Sequence, residues 1–193
     1  KIIDMGSGFT SYVLRLYQKN FSTEDFKIEV YSVDDDKSWL NKTKEFLRRN
    51  KVSRENLLLF SNVDVPMLKK SDKNYRKNGK YQHLNDDFLE WLDDPKNTEY
   101  VLEDISNGSK VKLPKFDFII YDMGTMSTRA RNLRNAIKLL NKENGVVFVD
   151  DLQYYEFFIR KLIKDDDLVF EVLKDETLDK YKRYCGTYKY KKS

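Results

Sequence analysis

The chain has 193 residues, with 36 Lys plus Arg against 32 Asp plus Glu and a formal net charge of +4. With 40% apolar and 14% aromatic residues, it has the composition of one folded domain rather than a disordered chain. A single Cys, Cys185, and a single His, His83, exclude an internal disulfide and a zinc site built from several Cys and His.

The near-balanced charge does not demand a nucleic-acid partner. No apolar run approaches the roughly 20 residues that span a bilayer, and no secretory leader opens the chain. A soluble, reducing, cytoplasmic setting is expected. Lys1 stands almost directly before an apolar run, which implies that N-terminal elements precede what is seen here.

Lys1-Ile2-Ile3-Asp4-Met5-Gly6-Ser7-Gly8 predicts a short strand entering a glycine turn. A helix follows, with Tyr12, Val13, Leu14, Leu16 and Tyr17 as its apolar face. Ile28 to Val33 predicts a second strand, ending in Asp34, Asp35 and Asp36. Trp39, Leu40, Phe46 and Leu47 mark a helix from Lys37 to Asn50 and are expected in the core, as is Trp91. Asn56 to Phe60 reads as the third strand.

Between about residues 65 and 115 the pattern is punctuated by Pro66, Asn78-Gly79, Pro95 and Asn107-Gly108, and reads as an insertion placed to cover a site. Within it, Phe88, Leu89, Trp91 and Leu92 suggest a short helix, and Asn107-Gly108 a hairpin turn. Phe116 to Tyr121 is a buried strand ending at Asp122, followed by a helix with Leu133, Ile137 and Leu140 on one face. Val146 to Val149 is another buried strand, ending at Asp150-Asp151. Phe157, Phe158, Leu162 and Ile163 mark one more helix, and residues 168–173 and 184–190 read as the last two strands.

Strands alternating with helices give an α/β, Rossmann-like, doubly wound fold. Its sheet is mainly parallel, within a single domain over residues 1–193. The last two strands, with no helix between them, form an antiparallel pair at one end.

Ligands of such sheets bind beyond the carboxyl ends of the strands. Those ends are acidic here, at Asp4, Asp34, Asp122 and Asp150-Asp151. Gly6-Ser7-Gly8 allows a ligand near backbone N–H groups, but a dinucleotide fingerprint would want Gly or Ala where Ser11 stands. A carboxylate at Asp4 repels a pyrophosphate and suits a cationic sulfonium or amino group, whereas Asp34 suits a ribose diol.

These residues, Ile3 to Gly8, Val33-Asp34, Phe116 to Asp122 and Gly145 to Asp151, resemble the motifs of class I S-adenosylmethionine-dependent methyltransferases. The resemblance implies a seven-stranded sheet ending in an antiparallel hairpin. It also implies that Gly6, Ser7 and Gly8 line the methionine part of S-adenosylmethionine, with Asp4 beside them. Asp34 would hold the ribose, and Ser61, Asn62 or Asp64 would lie near the adenine. Asp122, Asp150 and Asp151 match the Mg²⁺ ligands of catechol-type and sugar O-methyltransferases, which bind a substrate hydroxyl on the metal. Metal-free members carry acids at the same positions, so both readings stay open. The Lys that catechol-type enzymes place after the fourth-strand Asp is missing from Asp122-Met123-Gly124-Thr125, which leaves Asp122 or His83 as the candidate base.

The expected activity is methyl transfer to a hydroxyl of a small molecule or sugar. The alternatives are RNA methylation using the basic, Tyr-rich segment from Lys180 to Lys192, and a non-catalytic binding module of the same fold. Cys185, in the final hairpin, reads as a small buried residue.

Overall fold

The structure, a computed structural model, describes residues 1–34, 36–61, 101–123, 133–134, 136–154, 156, 160 and 167–191. In chain order these form β1 (Ile2–Met5), α1 (Phe9–Phe21), β2 (Val30–Asp34), α2 (Lys37–Arg49) and β3 (Leu57–Ser61). There follow β4 (Val101–Asp104), β5 (Lys110–Val111), β6 (Phe118–Tyr121), β7 (Val146–Val149), β8 (Leu168–Leu173) and β9 (Cys185–Tyr190).

The described strands make one nine-stranded sheet in the order β5-β4-β3-β2-β1-β6-β7-β9-β8. Its centre, from β3 to β7, is parallel. The doubly wound architecture and the antiparallel end are those expected. The hairpin anticipated at Asn107-Gly108 adds two strands, because β4 pairs antiparallel with β3 and continues the sheet. Gly108 turns it at φ +72°, a conformation that glycine adopts without cost, and its N–H donates to the Asp104 carbonyl at 2.8 Å.

The Tyr-rich segment is also built into the sheet. β9 lies between β7 and β8 rather than at an edge, and Tyr188 is 2% exposed with its ring stacked on Phe170 at 4.5 Å. The edge position belongs to β8.

Alternation along the strands sorts the two faces of the sheet. Ile3, Met5, Val33, Ile119, Tyr121, Val147 and Val149 join the main apolar cluster with Leu133, Ala136, Ile137 and Leu140. The anticipated face of Leu133, Ile137 and Leu140 is therefore the buried one, and residues 133–134 and 136–138 are helical. A smaller cluster of Leu40, Leu47, Val52 and Leu57 seats α2.

Helix α1 departs from expectation. Its buried residues are Ser11 and Arg15, while Val13, Leu16 and Tyr17 are exposed, with Phe9 and Phe21 beside them. The reason is the floor beneath it. Asp4 and Ser32, partners in the β1–β2 register, meet α1 through hydrogen bonds to Ser11 and Arg15. Polar groups removed from water must be hydrogen-bonded, so α1 turns its polar residues inward. Trp39, expected in the core, is 48% exposed. Trp91 lies outside the described residues.

Among the described residues, no helix is long and apolar enough to cross a membrane.

Candidate functional site

The parallel strands end in register. Met5 pairs with Val33 and Tyr121, and Tyr121 with Val149. The next residues continue the row: Gly6 N–H donates to Val33 O, Asp122 N–H to Met5 O and Asp150 N–H to Tyr121 O, at 2.7–3.0 Å. Asp34, Gly6, Asp122 and Asp150 therefore line the carboxyl edge of the sheet side by side, with Asp4 two residues before Gly6 on β1. The chain winds from β1 toward β3 on one side and from β6 toward β7 on the other, so β1 and β6 flank the crevice where such sheets bind ligands.

Asp4 is 1% exposed. Ser11 Oγ donates to its Oδ2 at 2.5 Å, and its Oδ1 has no hydrogen-bond partner among the described residues. Burial raises its pKa to about 7, with Asp122 and Asp34 adding to the rise and Ser11 and Arg15 opposing it.

Gly6 holds the turn at φ +112°, and a Cβ there would stand 2.0 Å from the Asp122 carbonyl oxygen. Only glycine lets the end of β1 lie against the end of β6. Gly8 is different, since a Cβ there would meet nothing closer than Trp39 Nε1 at 3.8 Å.

Ser7, between them, is pinned. Its N–H and Oγ both donate to Asp34 Oδ2 at 2.8 Å, and the Trp39 indole N–H donates to its carbonyl at 2.5 Å. Because the Ser7 hydroxyl proton goes to Asp34, the 3.2 Å contact with Thr43 Oγ1 has Thr43 as donor. Asp34 Oδ1 accepts from Asp36 N–H at 3.0 Å. A carboxylate oxygen accepts about two hydrogen bonds, so Oδ1 keeps room for one more donor and Oδ2 is full. Asp36 caps α2, accepting from the N–H groups of Ser38 and Trp39.

At the end of β7, Asp150 Oδ1 accepts from Asp151 N–H at 2.8 Å and from the Cys185 thiol at 3.2 Å. Burial, this hydrogen bond and the charge of Asp150 push the Cys185 thiol up to about 12, which keeps it protonated and unreactive. Asp151, at φ +52°, has Arg183 Nη1 3.7 Å from its carboxylate.

The expected Mg²⁺ ligands do not fit a metal as they stand. No group of three or more His, Cys, Asp or Glu among the described residues could hold one, although Asp122, Asp150 and Asp151 are all described. A guanidinium faces Asp151, and a thiol proton points at Asp150.

Of the other predicted site residues, Ser61 ends β3, while His83, Asn62 and Asp64 lie outside the described residues. The residues that sequence reasoning missed are Arg15, Thr43 and Trp39. Their signal was weak: Ser11 and Arg15 sit four apart, as polar partners on one helix face would.

No protein-family model matches the chain, and no curated protein does. Among solved structures, it is similar to the O-methyltransferase TomG from Streptomyces achromogenes in complex with S-adenosylmethionine. That likeness has TM-score 0.51 and 14% identity, over 97% of this chain and 70% of that one. An rRNA methylase from Streptococcus thermophilus follows at TM-score 0.48 and 10% identity, over 100% and 87%. An O-methyltransferase from Bacillus cereus in complex with S-adenosylhomocysteine matches at 0.46 and 11%, over 97% and 71%. At 14% identity the likeness to TomG is one of fold, the doubly wound, Rossmann-like α/β sheet.

Proposed function

We propose that the chain binds S-adenosylmethionine and transfers its methyl group to a hydroxyl oxygen of a small molecule or sugar. The observation that carries this is Asp4, a buried carboxylate at the carboxyl end of β1, beneath a glycine turn, with one oxygen that has no partner among the described residues. That group suits a cationic amino or sulfonium ligand and repels a phosphate. The space at Gly8 leaves room for a ligand beside the backbone. TomG, of the same fold, is an O-methyltransferase in complex with S-adenosylmethionine.

In this reading Gly6, Ser7 and Gly8 hold the methionine part, Asp4 faces its cationic groups, and Asp34 takes one ribose hydroxyl on Oδ1. The cofactor, when bound, supplies an electrophilic methyl carbon on a sulfonium. With it bound, an acceptor oxygen held at the carboxyl edge would displace the thioether at that carbon, the carbon–sulfur electron pair leaving on sulfur. Asp122, at the end of β6, takes the hydroxyl proton. Positioning supplies much of the rate of such an in-line displacement. Magnesium is left out of the proposal, because Arg183 and Cys185 face the two acids that would bind it.

Calorimetry with S-adenosylmethionine and S-adenosylhomocysteine tests the reading. Binding of both in the micromolar range is expected, and no heat from either overturns it. Binding without turnover on any hydroxyl acceptor would leave a non-catalytic module.

A second reading, RNA methylation, has one observation in its favour. Tyr181, in the β8–β9 connection, is 64% exposed, with Lys180 and Arg183 at 5.0 and 5.3 Å from its ring. The β7–β9 register pairs Val149 with Gly186, which brings this connection to the same edge as Asp150. Cations around an exposed ring can stack a base. Steeply salt-dependent RNA binding, lost in Tyr181→Ala, would favour this reading over a small-molecule acceptor.

A further inference from the structure

Helix α1 buries a cation for which the methyl-transfer chemistry above has no use. Arg15 is 1% exposed. Its Nη1 donates to Ser32 Oγ at 2.7 Å and to the Ser11 carbonyl at 3.3 Å, and its Nη2 to the Glu55 carbonyl at 2.8 Å. Burial lowers its pKa to about 10, so it stays charged at neutral pH. A charge removed from water needs a counter-charge. The acids that act on Arg15 are Asp4 and Glu55, and Glu55 is an exposed residue. Asp4 is therefore the buried anion that answers it.

Ser11 links the two. Its Oγ donates to Asp4 Oδ2 while its carbonyl accepts from Arg15, one helical turn further on. Ser32, another Arg15 partner, stands opposite Asp4 in the β1–β2 register. Asp4 Oδ2 is thus tied to α1, and Oδ1 has no partner among the described residues. The other charged groups acting on Asp4 are Asp34, from the end of β2, and Asp122, from the end of β6, and both oppose its ionisation.

We propose that Arg15 is a positioning residue for the cofactor site: through Ser11 and Ser32 it holds Asp4 as an oriented carboxylate whose open oxygen receives the cationic part of the ligand. This rests on the S-adenosylmethionine reading. It gives a role to an arginine buried beneath a helix that leaves Phe9, Val13 and Tyr17 outside.

The test begins without ligand. The Asp4 carboxyl is followed by carbon-13 NMR against pH, its resonance assigned by its absence from Asp4→Asn. In Arg15→Met the titration midpoint should rise by about one pH unit, the effect of losing a nearby opposite charge, and Arg15→Lys should restore most of it. Calorimetry against pH is the second measurement. S-adenosylmethionine affinity should climb as Asp4 ionises, and the climb should move upward with the NMR midpoint.

An unmoved midpoint in folded Arg15→Met, or affinity lowered equally at every pH, would make Arg15 a packing residue and overturn the proposal. If Arg15→Met fails to fold, Ser11→Ala takes its place, with the same upward shift expected and an unmoved midpoint again overturning it. Shifted midpoints with no ligand bound by the wild type at any pH would instead bring down the S-adenosylmethionine reading, and with it the role of Arg15 toward a ligand. Unmoved midpoints with ligand binding intact would remove the Arg15 proposal alone.

Discussion

Ser7 donates twice to a single oxygen of Asp34, through its backbone N–H and its Oγ, each at 2.8 Å. Asp34 is consequently a structural fastener as well as a candidate ribose ligand. Asp34→Ala strands both Ser7 donors in a buried setting, and a loss of about 2–3 kcal/mol is expected. Ser7→Ala keeps the backbone hydrogen bond and should cost about 1 kcal/mol. Denaturant unfolding of the two variants measures the difference. Near-equal costs would show that the backbone bond carries little.

The two glycines of the turn should behave differently. Gly6→Ala puts a Cβ 2.0 Å from the Asp122 carbonyl at φ +112°, and a loss of more than about 3 kcal/mol is expected, with β1 and β6 forced apart. Gly8→Ala meets open space and should change stability by under about 1 kcal/mol while weakening the ligand. A Gly6→Ala protein with wild-type thermal stability would contradict this geometry.

Asp4 gives stability an unusual slope with pH. Its folded pKa, about 7, lies above the 3.8 expected when unfolded, so the native state binds its proton more tightly. This group therefore contributes falling stability as pH rises from about 4 to 7. Asp117 and Glu156, whose pKa values are lowered, contribute in the opposite sense, at and below their unfolded values. Unfolding free energy measured across this window should decline less in Asp4→Asn than in the wild type. Parallel curves would rule Asp4 out as the source.

Magnesium should leave the protein unmoved. The unfolding temperature is expected to be the same with magnesium chloride and with EDTA, and a magnesium titration should give only heat of dilution. Asp150→Ala should still destabilise, by about 1–2 kcal/mol, because Asp151 N–H and the Cys185 thiol lose their acceptor. A rise in unfolding temperature with magnesium that disappears in Asp150→Ala would restore the metal reading.

Much of the architecture was legible because apolar runs such as Val146 to Val149 and Phe118 to Tyr121 admit few structures other than buried strands. The acids that follow them marked the carboxyl edge for the same reason. The orientation of α1 was not legible. Its periodicity names an apolar face correctly, but which face turns inward was decided by Asp4 and Ser32 on the neighbouring strands, a contact no local pattern carries. Trp39 was misplaced for a similar reason, since its indole N–H is drawn to the Ser7 carbonyl at the rim. The hairpin at Asn107-Gly108 was readable from its turn, whereas its pairing with β3 depends on a partner more than 40 residues away. The two readings left open for Asp150 and Asp151 rested on a family resemblance, which does not reveal that Arg183 and Cys185 return beside them at the start of β9.

The threading of β9 between β7 and β8 also bears on how the chain is made. During synthesis β7 emerges with one edge unpaired, and β8 follows with no neighbour to join, since its partner is residues 185–190. Until the ribosome has delivered Tyr190, Val147 lacks its cross-strand partner Tyr188 and Phe170 lacks the ring that stacks on it. The parallel half from β1 to β6 can assemble earlier, so the described sheet closes around β9 only after β8 has been made. That interval, with an apolar strand edge open, is when a nascent chain of this fold is most exposed to mispairing.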